Sequence, residues 1–558
     1  MILRFLPIVS AFCMIAAPAL AAPAAATPAA AKSQPGASGT TLPPPPPDAI
    51  VIHVSTDGVD GQDGRTPETA IRTLRRAVAL IRNNSPDRIL LRRGDTFEEV
   101  FGNFNRSGRS PQEPVVIGSY GTGPRPKILA RDTVFNIYGN GDLHDVAIVG
   151  LHLLAAGRDP DAVDFDPGNV PSPMGVRVVK PVRGLTIEDC RIERFSGNLV
   201  LTGSKSERLK DVIVRRCVVL DSWSNGGEFS GQGLYADKVD GLTIEDCVFD
   251  HNGWNEKVPG AGANLFRHNL YVSVETSGVT LRGCVVSYGA SHGVQMRSGG
   301  LCERNLFYNN AIHAFLGGKE AVFRDNVIVG GRNIDAKNPR GHGVTVAAGR
   351  GVVADNLIVH KPTTDGAAIR VERGKWSPPE GVSAEITGNV VYAWSGNGLE
   401  VSHETVSLVF SDNDLQRIAR GRKLVTIKQP YGTATFSGNR YHSEEPTRAK
   451  WFSLPTGFVP VEQWSQLMRD ASKLETARYR DAATTLPKDF IEAVRAEDAK
   501  LSVAAVIDRL RESFGKKPLG GGADKTASAA RREKAGNAAP VRNAAPPRTG
   551  AATRRPLR

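Results

Sequence analysis

Several features that would assign a chain to a common protein class are absent from this sequence. After residue 21 no stretch approaches the ~18 consecutive apolar residues of a membrane-spanning helix. No two cysteines stand in a CxxC spacing, so we expect no zinc site. The acidic segment DGVDGQDG is not followed by an EF-hand spacing, and we therefore interpret it as a glycine-rich turn. The alternative is a calcium site formed by Asp57, Asp60 and Asp63, and calcium is the only cofactor that the sequence suggests.

What the chain has instead is a repeat of ten short units. One column of the repeat always holds Cys or Asn, and the positions three residues before it and two after it are apolar in every unit. The column consists of Cys190, Cys217, Cys247, Cys284, Asn305, Asn326, Asn356, Asn389, Asn413 and Asn439. The units are 21 to 37 residues apart, which is typical of a solenoid with loops of variable length. A 21-residue unit holds three short strands and three turns, so the column is expected to stack inside the solenoid at about 4.8 Å per rung.

The repeat, together with its opening segments, carries a family resemblance. A strand and turn, VIHVSTDGVDGQDG, precede a helical segment, TLRRAVALIR, and a rung-like segment, PVVIGSYGTG. Over residues 50–445 the chain resembles the right-handed parallel β-helix proteins of the pectate-lyase-like superfamily. The resemblance implies an all-β solenoid whose open end is capped by the N-terminal helix. That superfamily includes pectate, alginate and chondroitin lyases, uronate epimerases, polygalacturonases and phage tailspikes, so the resemblance leaves the reaction open.

Composition divides the chain into five segments. We expect an export signal at 1–21, an Ala/Pro-rich linker at 22–47, the β-helix at 48–445, a helical region at 446–514 and a basic disordered tail at 515–558. The tail carries eleven Lys or Arg against two acidic residues, which accounts for +9 of the net charge of +12. The basic character therefore belongs to the tail, and nucleic acid is not an expected partner. We expect a monomer in the periplasm or outside the cell.

Five cysteines remain after removal of the predicted signal. Cys190, Cys217, Cys247 and Cys284 occupy the inward column, and Cys302 stands at an apolar strand position. An oxidising compartment favours disulfides. A buried stack of unpaired thiols is nevertheless the preferred interpretation, because the column points into the solenoid.

A second strand follows each turn, and its inward residues are assigned by periodicity to Leu234, Leu270, Val294, Phe315, Val344, Ile369 and Leu399. The outward positions then hold Tyr235, Tyr271 and Gln295, with Asp237 and Arg297 two residues further along their strands. Histidines stand two residues before the inward positions in four units, at His268, His292, His313 and His342. The sequence therefore predicts a polar groove of Tyr, Arg and His on one face of the solenoid.

The two longest loops precede this groove. The unit from Cys247 to Cys284 is 16 residues longer than the shortest one, and the excess lies just before His268. Loops on one face of a rigid scaffold build clefts. The loop side chains that we expect to contact a sugar are Trp223, Trp254, Lys257 and Arg267.

β-Elimination of an acidic, uronate-containing polysaccharide suits such a groove. Arg297 would neutralise the substrate carboxylate with its fixed fork of donors. His268 or His292 would remove the C5 proton, and Tyr271 would protonate the leaving oxygen. Tyr235, Asp237 and Gln295 would bind the sugar, and no metal is required.

Three other interpretations stay open. A glycoside hydrolase needs paired carboxyls, for which Asp237, Glu228, Asp250 and Glu256 are available. A uronate epimerase would use the same groups as the lyase without elimination. A β-helix that binds polysaccharide without catalysis would be favoured if the histidines are buried.

Overall fold

The computed structural model describes most of the chain from residue 40 to residue 519. Within that range it omits residues 139–142, 180, 228–230, 336, 338–339, 362–364, 471–472, 475–478, 480–485 and 498–501; beyond it, residues 541–542 are described. The predicted export signal, most of the linker, Glu228 and most of the basic tail lie outside the described residues.

The described strands form three long sheets that run along a solenoid. Sheet A contains β1 Val51–Val54, β2 Arg88–Arg92, β5 Val115–Tyr120, β8 Leu143–Val149, β11 Val182–Glu188, β14 Leu209–Arg215, β17 Val239–Glu245, β20 Ser277–Arg282, β23 Gly300–Glu303, β26 Glu320–Arg324, β29 Arg350–Ala354, β32 Ser383–Thr387, β35 Thr405–Ser411, β38 Tyr431–Ser437 and β43 Val541–Arg542. Sheet B contains β3 Thr96–Phe97, β6 Lys127–Ala130, β9 His152–Ala155, β12 Arg191–Glu193, β15 Val218–Leu220, β18 Val248–Asp250, β21 Val285–Ser287, β24 Leu306–Tyr308, β27 Val327–Val329, β30 Leu357–Lys361, β33 Val390–Trp394, β36 Asp414–Ile418, β39 Arg440–Ser443 and β42 Lys473–Leu474. Sheet C contains β4 Gly102–Asn103, β7 Phe135–Ile137, β10 Met174–Val178, β13 Gly197–Thr202, β16 Leu234–Asp237, β19 Leu270–Val272, β22 His292–Met296, β25 Ile312–Leu316, β28 His342–Val346, β31 Ile369–Val371, β34 Leu399–Val401, β37 Val425–Ile427, β40 Phe452–Leu454 and β41 Gly457–Val459.

Each rung contributes one strand to each sheet, and neighbouring rungs pair in parallel. The pairings of β38 with β43 and of β40 with β41, at the end of the solenoid, are antiparallel. The short apolar units of the repeat therefore fold as the resemblance implies, and the predicted parallel β-helix is confirmed.

The turn between sheets A and B explains the composition of the repeat. The residue just before each Cys or Asn has a positive φ, between 51° and 66°, and is Asp, Arg or Gly in every unit. Glycine, and to a lesser degree Asp, tolerates this left-handed conformation. The ten residues are Asp189, Arg216, Asp246, Gly283, Arg304, Asp325, Asp355, Gly388, Asp412 and Gly438.

The Cys/Asn column is buried and stacked, as the sequence predicts. The side-chain oxygen of Asn326 accepts from the backbone N–H of Asn305 at 2.9 Å, and the Asn326 amide donates to Asn356 at 3.1 Å. The ladder continues into the cysteines, where Asn305 accepts from the backbone of Cys284 at 2.9 Å. All five described cysteines are buried and unpaired, which confirms the interpretation of a thiol stack.

A second internal ladder was not predicted. At the turn between sheets B and C, the buried amides of four asparagines are joined side chain to side chain by hydrogen bonds of 2.9 to 3.3 Å. They are Asn198, Asn252, Asn269 and Asn310. Its members stand in the variable-length segments of the repeat, so the sequence offers no fixed spacing that would reveal them.

Helix α1, Leu74–Leu80, caps the first rung. Thr73 is its N-cap, because the threonine hydroxyl accepts from the backbone of Arg76, and Leu74 and Ala77 are buried. Asp60 lies beside this helix and accepts hydrogen bonds from the backbones of Arg72 and Thr73. An acidic turn therefore anchors the capping helix.

The other two aspartates of this segment are also bound locally. Asp57 pairs with Arg92, and Asp63 accepts from Arg65 and Thr69. Within the described part of the chain, no group of three or more His, Cys, Asp or Glu is placed to hold a metal ion.

C-terminal helices cover the outer face of sheet B. Helix α3 spans Leu486–Arg495 and α4 spans Val503–Ser513. Their apolar residues, among them Ile491 and Val506, pack on outward sheet B residues such as Val285 and Leu357 in a second hydrophobic core. This core makes the outer face of sheet B structural.

The last rungs are closed by α2, Val461–Met468, which follows a 3-10 turn at Arg448–Lys450. Trp464 of α2 stacks on Phe452 at 4.4 Å inside the main core. None of the helices in the described ranges is long and apolar enough to cross a bilayer.

Candidate functional site

One row of outward residues runs along sheet C from β4 to β34 in parallel register. We call it the groove row. It consists of Asn103, Asn136, Arg177, Val200, Tyr235, Tyr271, Gln295, Phe315, Thr345, Arg370 and Glu400. The row contains Tyr235, Tyr271 and Gln295 on neighbouring rungs, as predicted. Successive rungs are about 4.8 Å apart, so these side chains form a continuous surface.

The predicted inward position of Phe315 is wrong by one residue. Phe315 pairs with Gln295 and belongs to the outer row, whereas Ala314 and Leu316 point inward and are fully buried. The alignment failed because the segment IHAFLG is apolar on both faces, so periodicity alone does not fix its register. The outer face of this rung is therefore aromatic.

The same shift changes the histidine column. His292 pairs with Ile312 and Ile312 pairs with His342, so Ile312 occupies the place that was assigned to His313. His313 is instead completely buried, with its ring 6.4 Å from that of Phe307 and its Nε2 3.2 Å from the carbonyl oxygen of Gly330. His313 is thus a core residue.

His268 and His292 meet each other at the edge of the groove row. Their Nδ1 atoms are 3.3 Å apart, and the two rings are perpendicular with centroids 4.8 Å apart. His268 stacks on Tyr271 at 5.6 Å, and His292 contacts the ring of Phe315 edge-on at 6.2 Å. The two histidines therefore support the aromatic floor of the groove.

Both imidazoles are held neutral. His268 is 1% exposed and His292 is 7% exposed. Burial lowers the pKa of His292 to about 3, with Arg297 adding to the effect. Burial also lowers the pKa of His268 well below its usual value, assisted by His292 and Arg297. At neutral pH each ring has a nitrogen lone pair and no charge.

Arg297 is the cation nearest to Tyr271 and the two histidines. Its guanidinium lies between two aromatic rings, with Cζ 4.8 Å from the centroid of Tyr271 and 4.2 Å from that of Trp376. Nη1 donates to the phenolic oxygen of Tyr271 at 2.6 Å. Nε is buried without a hydrogen-bond partner, and the side chain forms no ion pair with any described residue. Burial lowers the pKa of Arg297, as expected for a cation without a counter-charge.

The neighbouring predicted residues extend the site. Tyr235 stacks on Tyr271 at 5.2 Å, and burial raises the pKa of both phenols. Gln295 is 7% exposed, and its side-chain oxygen has no hydrogen-bond partner among the described residues. Asp237 pairs with Lys238, which also lies 3.5 Å from Glu275. The structure thus brings together all four residues of the predicted reaction, with Tyr235 and Gln295 beside them.

Trp376 was missed by the sequence reasoning. It stands in the loop of residues 372–382, between β31 and β32, and it folds back over Arg297, which is three rungs earlier on sheet C. An aromatic residue among the Gly and Pro of GKWSPPEG was a signal for a functional loop. The rung to which such a loop returns is a tertiary property that no local pattern encodes.

The four predicted loop residues lie elsewhere. Trp223, Trp254 and Lys257 line a separate cleft of about 550 Å³ next to α3. Trp223 is 1% exposed, and the Nε1 of Trp254 donates to the carbonyl of Tyr288 at 2.8 Å. Lys257 pairs with Asp161 at 2.6 Å. Arg267 is buried and donates to the backbone of Gly227 and Gly262, so it fastens the loops to each other.

Two carboxylates in this second cleft hold helix α3 in place through ion pairs. Arg495 of α3 pairs with Asp221 at 2.8 Å and with the buried Asp250. Burial raises the pKa of Asp250. Burial also acts to raise the pKa of Asp221, but the hydrogen bond from His251 and the charge of Arg495 outweigh it, so the pKa of Asp221 is lowered. His251 is 2.8 Å from Asp221 and 3.2 Å from Glu256. Asp250, one carboxyl considered for a hydrolase, is thus occupied by structural contacts.

Comparison of the sequence with protein families gives one result. Residues 175–358 and 270–442 match the family model described as "Right handed beta helix region". Among curated proteins none matches the sequence.

Solved structures with a similar fold include three carbohydrate-related proteins. A GH136 lacto-N-biosidase from Eubacterium ramulus is 14% identical over 67% of this chain, with a TM-score of 0.37, and the chain spans 65% of its length. An alginate lyase from Paenibacillus sp. str. FPU-7 is 13% identical over 58% of this chain and 98% of its own, with a TM-score of 0.32. A tailspike protein mutant of E. coli bacteriophage HK620 in complex with pentasaccharide is 14% identical over 70% of this chain and 71% of its own, with a TM-score of 0.42. At these identities the likeness concerns the fold alone.

Proposed function

Because the chain is a right-handed parallel β-helix protein, we propose that its groove row binds an acidic, uronate-containing polysaccharide and cleaves it by β-elimination. The observation that carries the proposal is the state of Arg297. A half-buried guanidinium that forms no ion pair with a described residue lies between the rings of Tyr271 and Trp376.

An anionic ligand suits this position better than a neutral one. Burying a charge is costly unless the charge is paired, and the described residues supply no carboxylate to Arg297. A uronate carboxylate would supply the missing counter-charge. Gln295 lies two residues away, and its buried side-chain oxygen has no hydrogen-bond partner among the described residues.

The groups around Arg297 can take the remaining roles in elimination. Pairing of the substrate carboxylate with Arg297 acidifies the C5 proton, which a neutral imidazole can accept. Tyr271 then donates its proton to the oxygen that leaves as the glycosidic C–O bond breaks. Burial raises the pKa of Tyr271, so the phenol is protonated and ready to donate at neutral pH.

His292 is the better candidate for the base. His268 is only 1% exposed and lies behind Tyr271, whereas His292 retains 7% of its surface and faces the Phe315 ring. Arg297 contributes to the low pKa of His292. A bound carboxylate would cancel part of this effect and raise the basicity of His292 when substrate is present.

We also propose that the protein is exported and works in the periplasm or outside the cell. This proposal rests on the Arg4-led apolar segment and the Ala19–Ala21 stretch of the sequence. The partner is then a polysaccharide of the envelope or surroundings.

The test is a panel of uronate polymers, such as alginate, polygalacturonate, glucuronan and glycosaminoglycans. Each reaction is followed for ultraviolet absorbance of the new C=C bond and for reducing ends. Elimination gives both signals, and Arg297→Ala is expected to lose most of the rate. Arg297→Lys keeps the positive charge but loses the fork of donors, so this variant should retain only part of the wild-type rate. Reducing ends without absorbance would instead identify a hydrolase.

Binding without catalysis is the second candidate, and burial of the two histidines favours it. An imidazole whose pKa is about 3 is a weak base in the free protein. In this case the protein would bind a uronate polymer, and Arg297→Ala would abolish the binding. Neither ultraviolet absorbance nor new reducing ends would appear.

A further inference from the structure

The groove row contains two arginines, which differ in their ion pairing. Arg370, three rungs after Gln295, lies 3.1 Å from the carboxylate of Glu372. Arg177, four rungs before Gln295, is partly exposed and forms no ion pair with any described residue. Of the two, Arg177 is therefore the one that can accept an anionic group without the loss of an existing ion pair.

Hydrogen bonds between neighbouring rungs orient the guanidinium of Arg177. Its Nη1 donates to the side-chain oxygen of Asn136 at 2.9 Å, and the amide of Asn136 donates to the side-chain oxygen of Asn103 at 2.6 Å. The three side chains occupy the groove row on β10, β7 and β4. Among the described residues, Asn136 is the only hydrogen-bond partner of this guanidinium, so the donors on Nε and Nη2 remain for a ligand. Two parallel donors of this kind match the two oxygens of a carboxylate.

The groove row between Arg177 and Arg297 is open to solvent and carries no charge. On the three intervening rungs its residues are all partly exposed. They are Val200, Tyr235 and Tyr271. Asp237 lies beside this stretch, but its carboxylate is paired with the ammonium of Lys238. An anionic polysaccharide chain that is held at Arg297 can therefore continue along this stretch toward Arg177.

We infer that Arg177 is a second carboxylate-binding site of the groove, which holds a uronate unit further along the polysaccharide chain that is bound at Arg297. The inference rests on the proposed binding of a uronate polymer along sheet C. The two arginines stand four rungs apart, which is about 19 Å at 4.8 Å per rung. A uronate disaccharide is shorter than this span and reaches one arginine only, whereas a longer oligomer can reach both.

The second site should make affinity depend on the length of the sugar chain. Once one carboxylate is bound at Arg297, a uronate further along the same chain meets Arg177 at a high effective concentration. The second contact then adds affinity without a second loss of translational freedom. A hydrogen-bonded charge pair of this kind strengthens binding roughly tenfold or more. Affinity should therefore rise steeply once the oligomer is long enough to bridge the two arginines.

Binding of oligomers of increasing length tests the inference independently of the reaction. Tyr271→Phe protein, chosen to suppress cleavage, is titrated calorimetrically with oligomers of each uronate polymer in the panel, from the disaccharide to the decasaccharide. Arg177→Gln in this background should bind the disaccharide as its parent does and the decasaccharide roughly tenfold more weakly. Arg177→Lys retains the positive charge and should recover part of this difference. If Arg177→Gln binds the decasaccharide as tightly as its parent, the second site is refuted while binding at Arg297 stands.

Arg183→Gln is the matched control. It makes the same change of charge at an exposed position of sheet A, on another face of the solenoid, and should leave the affinity for every oligomer unchanged. Equal losses of affinity in the Arg177 and Arg183 variants at low salt would show that net charge, rather than a site, attracts the oligomers, and would overturn the inference. Because glutamine keeps an amide donor for Asn136, Arg177→Gln should unfold at the same urea concentration as its parent.

The remaining outcomes separate this inference from the proposed reaction. In an otherwise wild-type enzyme, Arg177→Gln should raise KM for long chains far more than it lowers kcat, because Arg177 is remote from the atoms that react at Arg297. A lower kcat with an unchanged KM would contradict a binding role. Length-dependent binding that requires Arg177, in a wild type that produces no ultraviolet absorbance, would support the second site and contradict the lyase. Failure to bind any uronate oligomer would contradict both.

Discussion

The phenolic oxygen of Tyr271 accepts a 2.6 Å hydrogen bond from Nη1 of Arg297, on the next rung of sheet C. Because the phenol is the acceptor in this bond, its own O–H hydrogen is free to point elsewhere. The pair thus offers one cation and one proton donor about one rung apart. Both groups are needed at adjacent atoms of a uronate unit during elimination.

Tyr271→Phe is therefore expected to lower kcat by about 10²- to 10⁴-fold, the usual contribution of a positioned proton donor. Binding should change little, since the ring that stacks on Tyr235 and His268 remains. Initial rates of absorbance and calorimetric affinity give the two quantities separately. Tyr308→Phe, a half-buried tyrosine of sheet B, is the matched control and should retain full activity. Loss of affinity with an unchanged kcat would contradict the role of proton donor.

The buried histidines predict a dependence of stability on pH. The pKa of His292 in the folded protein is about 3, below the ~6.5 of an unfolded chain. The unfolded state therefore takes up the proton first as pH falls. The stability contributed by the neutral ring is complete above about pH 6.5 and is lost as pH falls toward 3, at about 1.4 kcal/mol per pH unit.

His292→Asn should reduce this loss. We expect the difference in the free energy of unfolding between variant and wild type to change by about 1 kcal/mol from pH 6.5 to 5.5, measured by urea denaturation. His403→Asn, at an exposed position, is the control and should follow the wild type. Parallel pH curves for the His292 variant and wild type would show that this ring is protonated in the folded state.

The fold could be predicted from the sequence because its determinants are local. A fixed spacing links each ladder residue, such as Asn326, to the apolar positions around it, and the same turn recurs in every unit. The groove row was likewise found by alternation in strands such as β19, where polar and apolar residues differ clearly. Phe315 was placed on the wrong face because its strand is apolar on both faces.

The contact between Trp376 and Arg297 could not be predicted in this way. Trp376 reaches Arg297 from a loop that belongs to a rung three positions later on sheet C, far from Arg297 in sequence. The second cleft has the same origin, since Arg495 comes from a C-terminal helix that returns to the rungs of Asp221 and Asp250. Both features are contacts between residues that lie far apart in the sequence. The spacing of the repeat contains no information about such contacts.

The buried thiol stack predicts that the cysteines of the folded protein react slowly with thiol reagents. Burial raises the pKa of Cys190, Cys217, Cys247 and Cys302, so the reactive thiolate is scarce in the folded protein. A thiol reagent should label none of the five described cysteines of the native protein within minutes and all five in denaturant. Fast native labelling, or a mass showing the loss of two hydrogens per cysteine pair, would contradict the buried, unpaired stack.

We expect the ion pairs of Arg495 to contribute strongly to the stability of α3 packing on sheet B. It joins two carboxylates of sheet B rungs, Asp221 and Asp250, and Asp250 is 1% exposed. Arg495→Met keeps the apolar stem but leaves both carboxylates without their cation. We expect a loss of about 3 kcal/mol in the free energy of unfolding, the usual range for removing one partner of a buried pair.

Lys488→Met removes a cation from the exposed side of the same helix, where its 3.7 Å contact with Glu492 is solvated, and should cost less than about 0.5 kcal/mol. Urea denaturation of the two variants makes the comparison, and equal losses would show that α3 is held by its apolar face alone.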